Sequence, residues 1–383
     1  MPWKDISVVI QRRELVQVLL SGAGPVGDVC RRFGVSRQTA YKFLRRFRAD
    51  GGPGLHDRSR GPLTAYAAQA PRWCARLLRL RKVHPSWGAR KLHWLLGQRF
   101  GRRGLPAERT LQRWIAQAGL SKSPPWRRRM RPTRQVRATA ARHSNAVWTI
   151  DLKGWFRTAN GTKVEPLTVR DLWSRFVLWS APLAPRDERS VRLICQRLFR
   201  RHGRPQVIRC DRGAPFFGDG PHGLTRLSLW WWRLGIRVEF VRRGQIDNNA
   251  HEQMHRVLKA DTTIAWSARA QARSLERWRQ GYNRQRPHES LGLQTPASRF
   301  RSKPRRLPLL QTPKYPRGSL VRRVQTNGKI SFQGWRGSIG RAFGGLPVGL
   351  TPAGFRRYRV YFGSLYLGLL ELNGTRLLIL PAF

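Results

Sequence analysis

Apolar residues recur at helical spacing from Ile6 to Arg48, and the middle of that stretch reads VGDVCRRFGVSRQTAYKFLRRF. Val26, Val29, Cys30 and Phe33 form one apolar stripe; Ala40, Phe43 and Leu44 form the next. Gly34 supplies the turn between them, Val35 plugs it, and Ser36 caps the second helix. The pattern predicts a helix-turn-helix in residues 1–50, with Arg37, Gln38, Thr39 and Lys42 on the outward side of the second helix, where such a motif reads DNA. An ordinary helical hairpin with a solvated face would show the same spacing.

A Gly/Pro-rich break, ADGGPGLHDRSRGP, marks residues 51–64 as a linker. Residues 65–121 return to helix, break, helix, with Pro106 opening the last helix and Gly119 closing it, and read as a second helical DNA-binding unit. Residues 122–144 carry many positive charges and almost no apolar periodicity, the signature of a basic linker that tracks phosphates. From residue 145 the period changes. VWTIDLKGWF, KVEPLTVRDLWSRFVLWSAPL and PQVIRCDRG are short apolar runs bounded by turn residues, with the amphipathic helix RSVRLICQRLFRRHG among them. Strand, strand, strand, helix, strand is an α/β pattern, assigned to residues 145–302. Two helices follow, GLTRLSLWWWRLG and NNAHEQMHRVLKADTTIAW, separated by IRVEFV. Residues 315–383 return to short strands with Gly turns and predict a small β barrel.

Composition sharpens this multidomain picture. At roughly 150 residues per domain, 383 residues suit two to three domains, and 40% hydrophobic content suffices for a core in each. Lys and Arg number 75 against 20 acids, a formal net charge of +55, so a polyanion is the expected partner. The charge is mostly Arg and is interleaved with 16 Trp along nearly the whole chain, which favours a folded nucleic-acid protein over a basic tail. Cys30, Cys74, Cys195 and Cys210 are scattered without a C-x-x-C pair, so neither a disulfide framework nor a zinc site is indicated and a reducing cytoplasm fits. There is no signal-peptide pattern at the start and no apolar run long enough to span a membrane. No phosphate-binding glycine loop points to ATP or a dinucleotide.

With so few acids, a carboxylate inside an apolar strand is costly unless it has a cation to bind. Asp151 in WTIDL and Asp211 in VIRCD are two such positions, each near the end of a core strand. Glu252 lies on the following helix, which helical geometry splits into a polar side with His255, Arg256 and Lys259 and an apolar side with Met254, Val257 and Leu258. Two strand-end aspartates and a helix glutamate suit two Mg2+ ions, hard cations that take oxygen ligands. Such a pair, about 3.5 to 4 Å apart, stabilises the attacking and leaving oxygens of a phosphodiester displacement. Blander readings exist for each acid: a capping box from Asn249 to Glu252, a turn at Asp211, a salt bridge at Asp151. His251 and His255 flank Glu252 as in a zinc-protease helix, a reading that the charge and the two aspartates oppose. Trp230, Trp231 and Trp232 read as packing residues.

The runs WTIDLKGWF, PLTVRDLWSRFVL, CDRGAPF, GLTRLSLWWWRLGIRVEFVRRG, NNAHEQMHRVLKAD and YNRQRPHESLGLQTPASRF together resemble the integrase-core transposases of bacterial insertion sequences, of the insertion-sequence 481 type. The resemblance spans about residues 5 to 383 and is tightest from Asn145 to Phe300. It implies an RNase H-like integrase core between the N-terminal helix-turn-helix units and the C-terminal barrel. It places a D, D, E catalytic and metal-binding triad on Asp151, Asp211 and Glu252, loaded with two Mg2+ or Mn2+ ions. It further implies nicking of transposon ends, transfer of the freed 3′-hydroxyl into target DNA, terminal inverted repeats and target duplex as partners, and a homodimer or larger synaptic assembly in the bacterial cytoplasm. Lys259, with Arg256, falls where a basic residue holds the transposon end, and Asp171 matches a family aspartate outside the triad, read as structural. Two departures stand out: Arg212 replaces the usual Asn after the second aspartate, and Ala250 replaces a Gly before the glutamate. They leave open a decayed copy that only binds DNA.

Overall fold

The computed structural model describes residues 7–58, 66–121, 138–218, 220–241, 248–304, 306–333, 335–373 and 376–380. Most of the basic linker, residues 122–137, lies outside them, as do residues 59–64 of the first linker. The chain divides into two compact units, Met1–Gln69 and Ala70–Phe383.

In the first unit, α1 (Val8–Leu20), α2 (Val26–Phe33) and α3 (Arg37–Asp50) form the helix-turn-helix. Gly34 ends α2 at φ +62°, a left-handed conformation that glycine adopts without steric cost. The Ser36 hydroxyl then accepts from the Thr39 amide at 3.2 Å and starts α3. Leu15, Val29, Cys30 and Ala40 close one core cluster, and Val16 and Phe43 another. Leu55, inside the stretch expected to be a linker, is fully buried in that second cluster. Arg12 donates to the Leu55 carbonyl at 2.8 Å and to Asp57 at 2.9 Å, so residues 52–57 fold back as part of the unit.

The second unit opens within α4 (Tyr66–Val83), which shares with α5 (Ala89–Phe100) and α6 (Glu108–Gln117) a core of Trp73, Leu77, Trp87, Leu92, Leu96, Leu111 and Ile115. The α/β region follows as β1 (Val147–Leu152), the hairpin β2 (Phe156–Arg157) and β3 (Lys163–Val164), β4 (Pro166–Asp171), β5 (Val177–Pro182), α7 (Glu188–His202), β6 (Val207–Asp211), α8 (Arg226–Arg233), β7 (Arg237–Val241), α9 (Asn248–Asp261) and α10 (Ala268–Arg284). The sheet order is β5-β4-β1-β6-β7, antiparallel across β5, β4 and β1 and parallel across β1, β6 and β7. This strand order is the one expected of the RNase H-like core that the sequence resembles. Period-two alternation divides its two faces. Trp148, Ile150, Leu167, Val169, Ile208 and Cys210 pack with α7 and α8, while Val177 packs with Met254 and Leu258 of α9 and Leu275, Trp278 and Tyr282 of α10. Asp151, Thr168 and Asp211 alternate with the first set and therefore face the α9 side.

The C-terminal strands β8 (Leu320–Arg323), β9 (Lys329–Phe332), β10 (Trp335–Ser338), β11 (Pro347–Pro352), β12 (Arg357–Phe362), β13 (Leu365–Asn373) and β14 (Arg376–Leu380) form one seven-stranded sheet in the order β8-β11-β12-β13-β14-β10-β9. The expected barrel is not closed: β8 and β9 stand at opposite ends of the hydrogen-bonded order. The sheet's core includes Leu224 and Leu229, and the ring of Trp232 on α8 packs at a tilt against Phe362, centroids 5.2 Å apart, so its apolar face is covered by the α/β region rather than by closure. Trp230 and Trp231 are buried in the main core. The four cysteines are free, and among the described residues no helix is long and apolar enough to cross a membrane.

Candidate active site

β1 and β6 are adjacent and parallel, paired Val147 to Val207 through Thr149 to Arg209. Continuing that register places Asp211 level with Asp151, both pointing to the α9 side at the same end of the sheet. α9 brings the exposed Glu252 to this end. Asp151 feels both partners: burial first, then the charge of Asp211, and more weakly those of Glu252 and Glu165, push its carboxyl up to about 7. The three acids named from the sequence therefore lie within electrostatic reach of one another.

Asp211 sits in a close-fitting cradle. The Gly213 amide donates to its Oδ1 at 3.2 Å, and a β-carbon on Gly213 would lie 3.0 Å from Oδ2. A side chain at this position would therefore crowd the carboxylate. Arg212 is exposed and turned away, its guanidinium 5.6 Å over the Phe217 ring. Carboxylates gathered so closely that the charge of Asp151 is disfavoured form an oxygen donor set that fits hard divalent cations.

The sequence put His255 on the polar side of α9 with Glu252; the structure turns it into the sheet. The cause is Thr168, fully buried opposite Asp151 in the β1–β4 register. Its hydroxyl lies 3.1 Å from the Asp151 carbonyl, 3.1 Å from His251 Nε2 and 2.9 Å from His255 Nε2. His255 Nδ1 is 3.8 Å from Asp151 Oδ2. Burial, with the charges of Lys153 and Arg170, lowers His255 to about 4, so it is neutral at pH 7.

Lys153 is a site residue that the sequence reading passed over. It follows Asp151 by two positions, and its ammonium is held down by burial and by the neighbouring charge of Lys259. The signal was the period of two: a strand end that points an acid into a site points its i+2 neighbour the same way. Lys259 and Arg256 are both exposed on α9. Asp171, in contrast, is fully buried and accepts from the Asn145 and Ser174 amides at 2.8 Å each, as a structural aspartate does. On α3, Gln38 and Lys42 are exposed and Thr39 is half-buried at the cap. Arg37 lies across α2, its guanidinium closing on Gly27. Tyr41, 52% exposed between Gln38 and Lys42, adds an aromatic ring that the sequence reading did not name.

Four family models match the chain: a helix-turn-helix domain over residues 11–62, a homeodomain-like domain over 39–115, an integrase core domain over 234–296, and the C-terminal domain of the IS481 family transposase over 319–376. The chain is similar to the integrase-core transposases of insertion sequences. A curated relative, the insertion element IS407 uncharacterized 31.7 kDa protein of Burkholderia multivorans (strain ATCC 17616 / 249), is 27% identical over 236 residues, 60% of this chain and 81% of the relative. Two solved structures overlie the chain loosely. The HTLV-2 integrase catalytic core domain in complex with magnesium matches 42% of this chain and 100% of its own at 10% identity and TM-score 0.33. The simian T-cell lymphotropic virus intasome in complex with PP2A regulatory subunit B56 gamma matches 76% and 97% at 15% identity and TM-score 0.36. The strand order and the matched core domain, rather than these low scores, identify the transposase-like fold.

Proposed function

We propose that this chain is a DNA transposase of the DDE kind, with Asp151, Asp211 and Glu252 as its catalytic carboxylates and metal ligands. The observation that carries the reading is the convergence of these three acids, from two adjacent parallel strands and one helix, at a single edge of the sheet. Two Mg2+ or Mn2+ ions held there would supply Lewis acidity to the attacking and leaving oxygens. Water first attacks a phosphodiester at the transposon end, breaking the P–O3′ bond and freeing a 3′-hydroxyl. That hydroxyl then attacks a target phosphodiester, forming one P–O bond as another breaks, so no ATP is consumed.

The rest of the chain positions DNA. Gln38, Thr39 and Lys42, with Arg37 bracing α3 on α2, read the terminal inverted repeats through the major groove. Lys153, Lys259 and Arg256 surround the carboxylates with cations for the phosphates. The C-terminal sheet is braced on α8, and joining two ends at once calls for a homodimer or larger assembly working in the bacterial cytoplasm. Arg212 stacks on Phe217 instead of pairing with Asp211, which supports an active enzyme over a decayed copy that only binds DNA.

The test is strand transfer in Mg2+ or Mn2+, with labelled element ends and a target plasmid, for the native chain beside Asp211→Asn and Glu252→Gln. Joined product from the native chain alone is expected. End binding by all three with no nick or joint from any would leave a DNA-binding protein.

A further inference from the structure

The DDE reading uses only the carboxylates, yet His255 Nδ1 lies 3.8 Å from Asp151 Oδ2. Asp151, His251 and His255 each present a ligand atom within 4.8 Å of the others. The hydrogen bonds of Thr168 decide what those nitrogens carry. Its hydroxyl has one proton and two lone pairs, and it meets three atoms: the Asp151 carbonyl, His251 Nε2 and His255 Nε2. The carbonyl can only accept. All three contacts are satisfied when the hydroxyl donates to the carbonyl and accepts an N–H from each imidazole. Both rings then carry their proton on Nε2 and a bare lone pair on Nδ1.

For His255 that lone pair faces the Asp151 Oδ2 at 3.8 Å, beyond hydrogen-bond distance and with room for an ion between them. Two facing donors repel unless a cation joins them. A metal-binding histidine is prepared in this way: one ring nitrogen is fixed by a hydrogen bond and the other is left free to ligate. The support here is strong, because Thr168 is fully buried and is itself tied to the main chain of Asp151.

We propose that His255 Nδ1 is a nitrogen ligand to the cation held by Asp151, so that this ion position favours a first-row transition cation, Mn2+ to Zn2+, over Mg2+. The inference rests on the metal-dependent reading above. Imidazole suits the later first-row metals, whereas Mg2+ keeps to oxygen ligands and near-octahedral geometry. Adding one nitrogen to a carboxylate site therefore shifts its preference without removing its affinity for hard ions.

The experiment loads the full chain with one equivalent of Mn2+ and records electron spin-echo envelope modulation. The expected result is modulation from a directly bound 14N nucleus, present in the native protein and lost in His255→Gln. Calorimetry on the same pair should show Mn2+ affinity falling roughly 10–100-fold in the variant, as for other contributions to a metal site, while Mg2+ affinity stays put. The spectrum of the native protein stands alone if the variant fails to fold. Mn2+ that binds, is lost in Asp151→Asn and shows no 14N modulation would overturn the histidine ligand and leave the carboxylate site intact. No Asp151-dependent Mn2+ binding at all would overturn both.

Discussion

A carboxyl pushed to about 7 makes Asp151 a coupling point between pH and cation binding. The unfolded chain gives up this proton near 3.8, whereas the metal-free folded chain keeps it to about 7. Between those values the folded state binds more protons, so the group's contribution to stability falls as pH rises through that window and levels off above it. A cation binds the deprotonated form and removes the penalty. Mg2+ affinity should therefore rise from about pH 6 to about pH 8, with a proton released at the lower value. Calorimetry in buffers of different ionisation enthalpy measures that proton directly, and an affinity flat across the range would contradict it. Gly213 offers a second check at the same scale. Gly213→Ala would place a carbon 3.0 Å from Asp211 Oδ2. The carboxylate must then give by a few tenths of an ångström, so strand transfer should fall, by less than the roughly 100-fold that a displacement of about 1 Å costs, while end binding is retained.

At the scale of elements, a single hydroxyl fastens the glutamate-bearing helix to the aspartate-bearing strands. Thr168→Val keeps the shape but leaves two buried imidazole N–H groups without an acceptor, at a cost of about 1–3 kcal/mol. It should lower the melting temperature and weaken metal binding together, and Thr168→Ser should restore both; a Val variant with unchanged thermal stability and metal affinity would refute the fastening role. None of this was legible in the sequence. The helical wheel put His255 with Glu252 because histidine counts as polar, and only the tertiary partner Thr168 turns the helix so that His251 and His255 face the sheet. The strand-end acids were legible, since alternation within WTIDL and VIRCD places each aspartate opposite the apolar set. The helix-turn-helix was legible for local reasons, Gly34 at φ +62° and the Ser36 cap. α10 was not named: its sequence, ARAQARSLERWRQGYNR, is dominated by arginine and alanine, and its docking depends on the Asn283 side chain bridging the amide and carbonyl of Val177 at 2.8 Å each, a contact no periodicity displays.

Across the whole molecule, charge was the most readable property and closure of the C-terminal sheet the least. Short strands with Gly turns suit a barrel or an open sheet equally, and what decides between them here is Trp232 and Leu229, residues more than a hundred positions before the sheet ends, which cover its apolar face. The charge leads to a prediction for the full chain. With +55 distributed over both units, binding to DNA should release many condensed counterions, and log affinity should fall linearly with log salt by about 0.9 per phosphate neutralised. Much of this slope is independent of sequence, so it should be nearly as steep for random duplex as for the element's ends. Lys42 is exposed on α3, and if its ammonium meets a phosphate, Lys42→Ala should reduce the slope by about 1 and weaken both DNAs alike. Gln38→Ala, which removes a neutral base-reading group, should leave the slope unchanged and narrow the gap between ends and random duplex. Fluorescence anisotropy titrations at several salt concentrations separate the two, and a Gln38 variant that alters the slope, or a Lys42 variant that alters only the preference for ends, would reverse the roles assigned to this face of the helix.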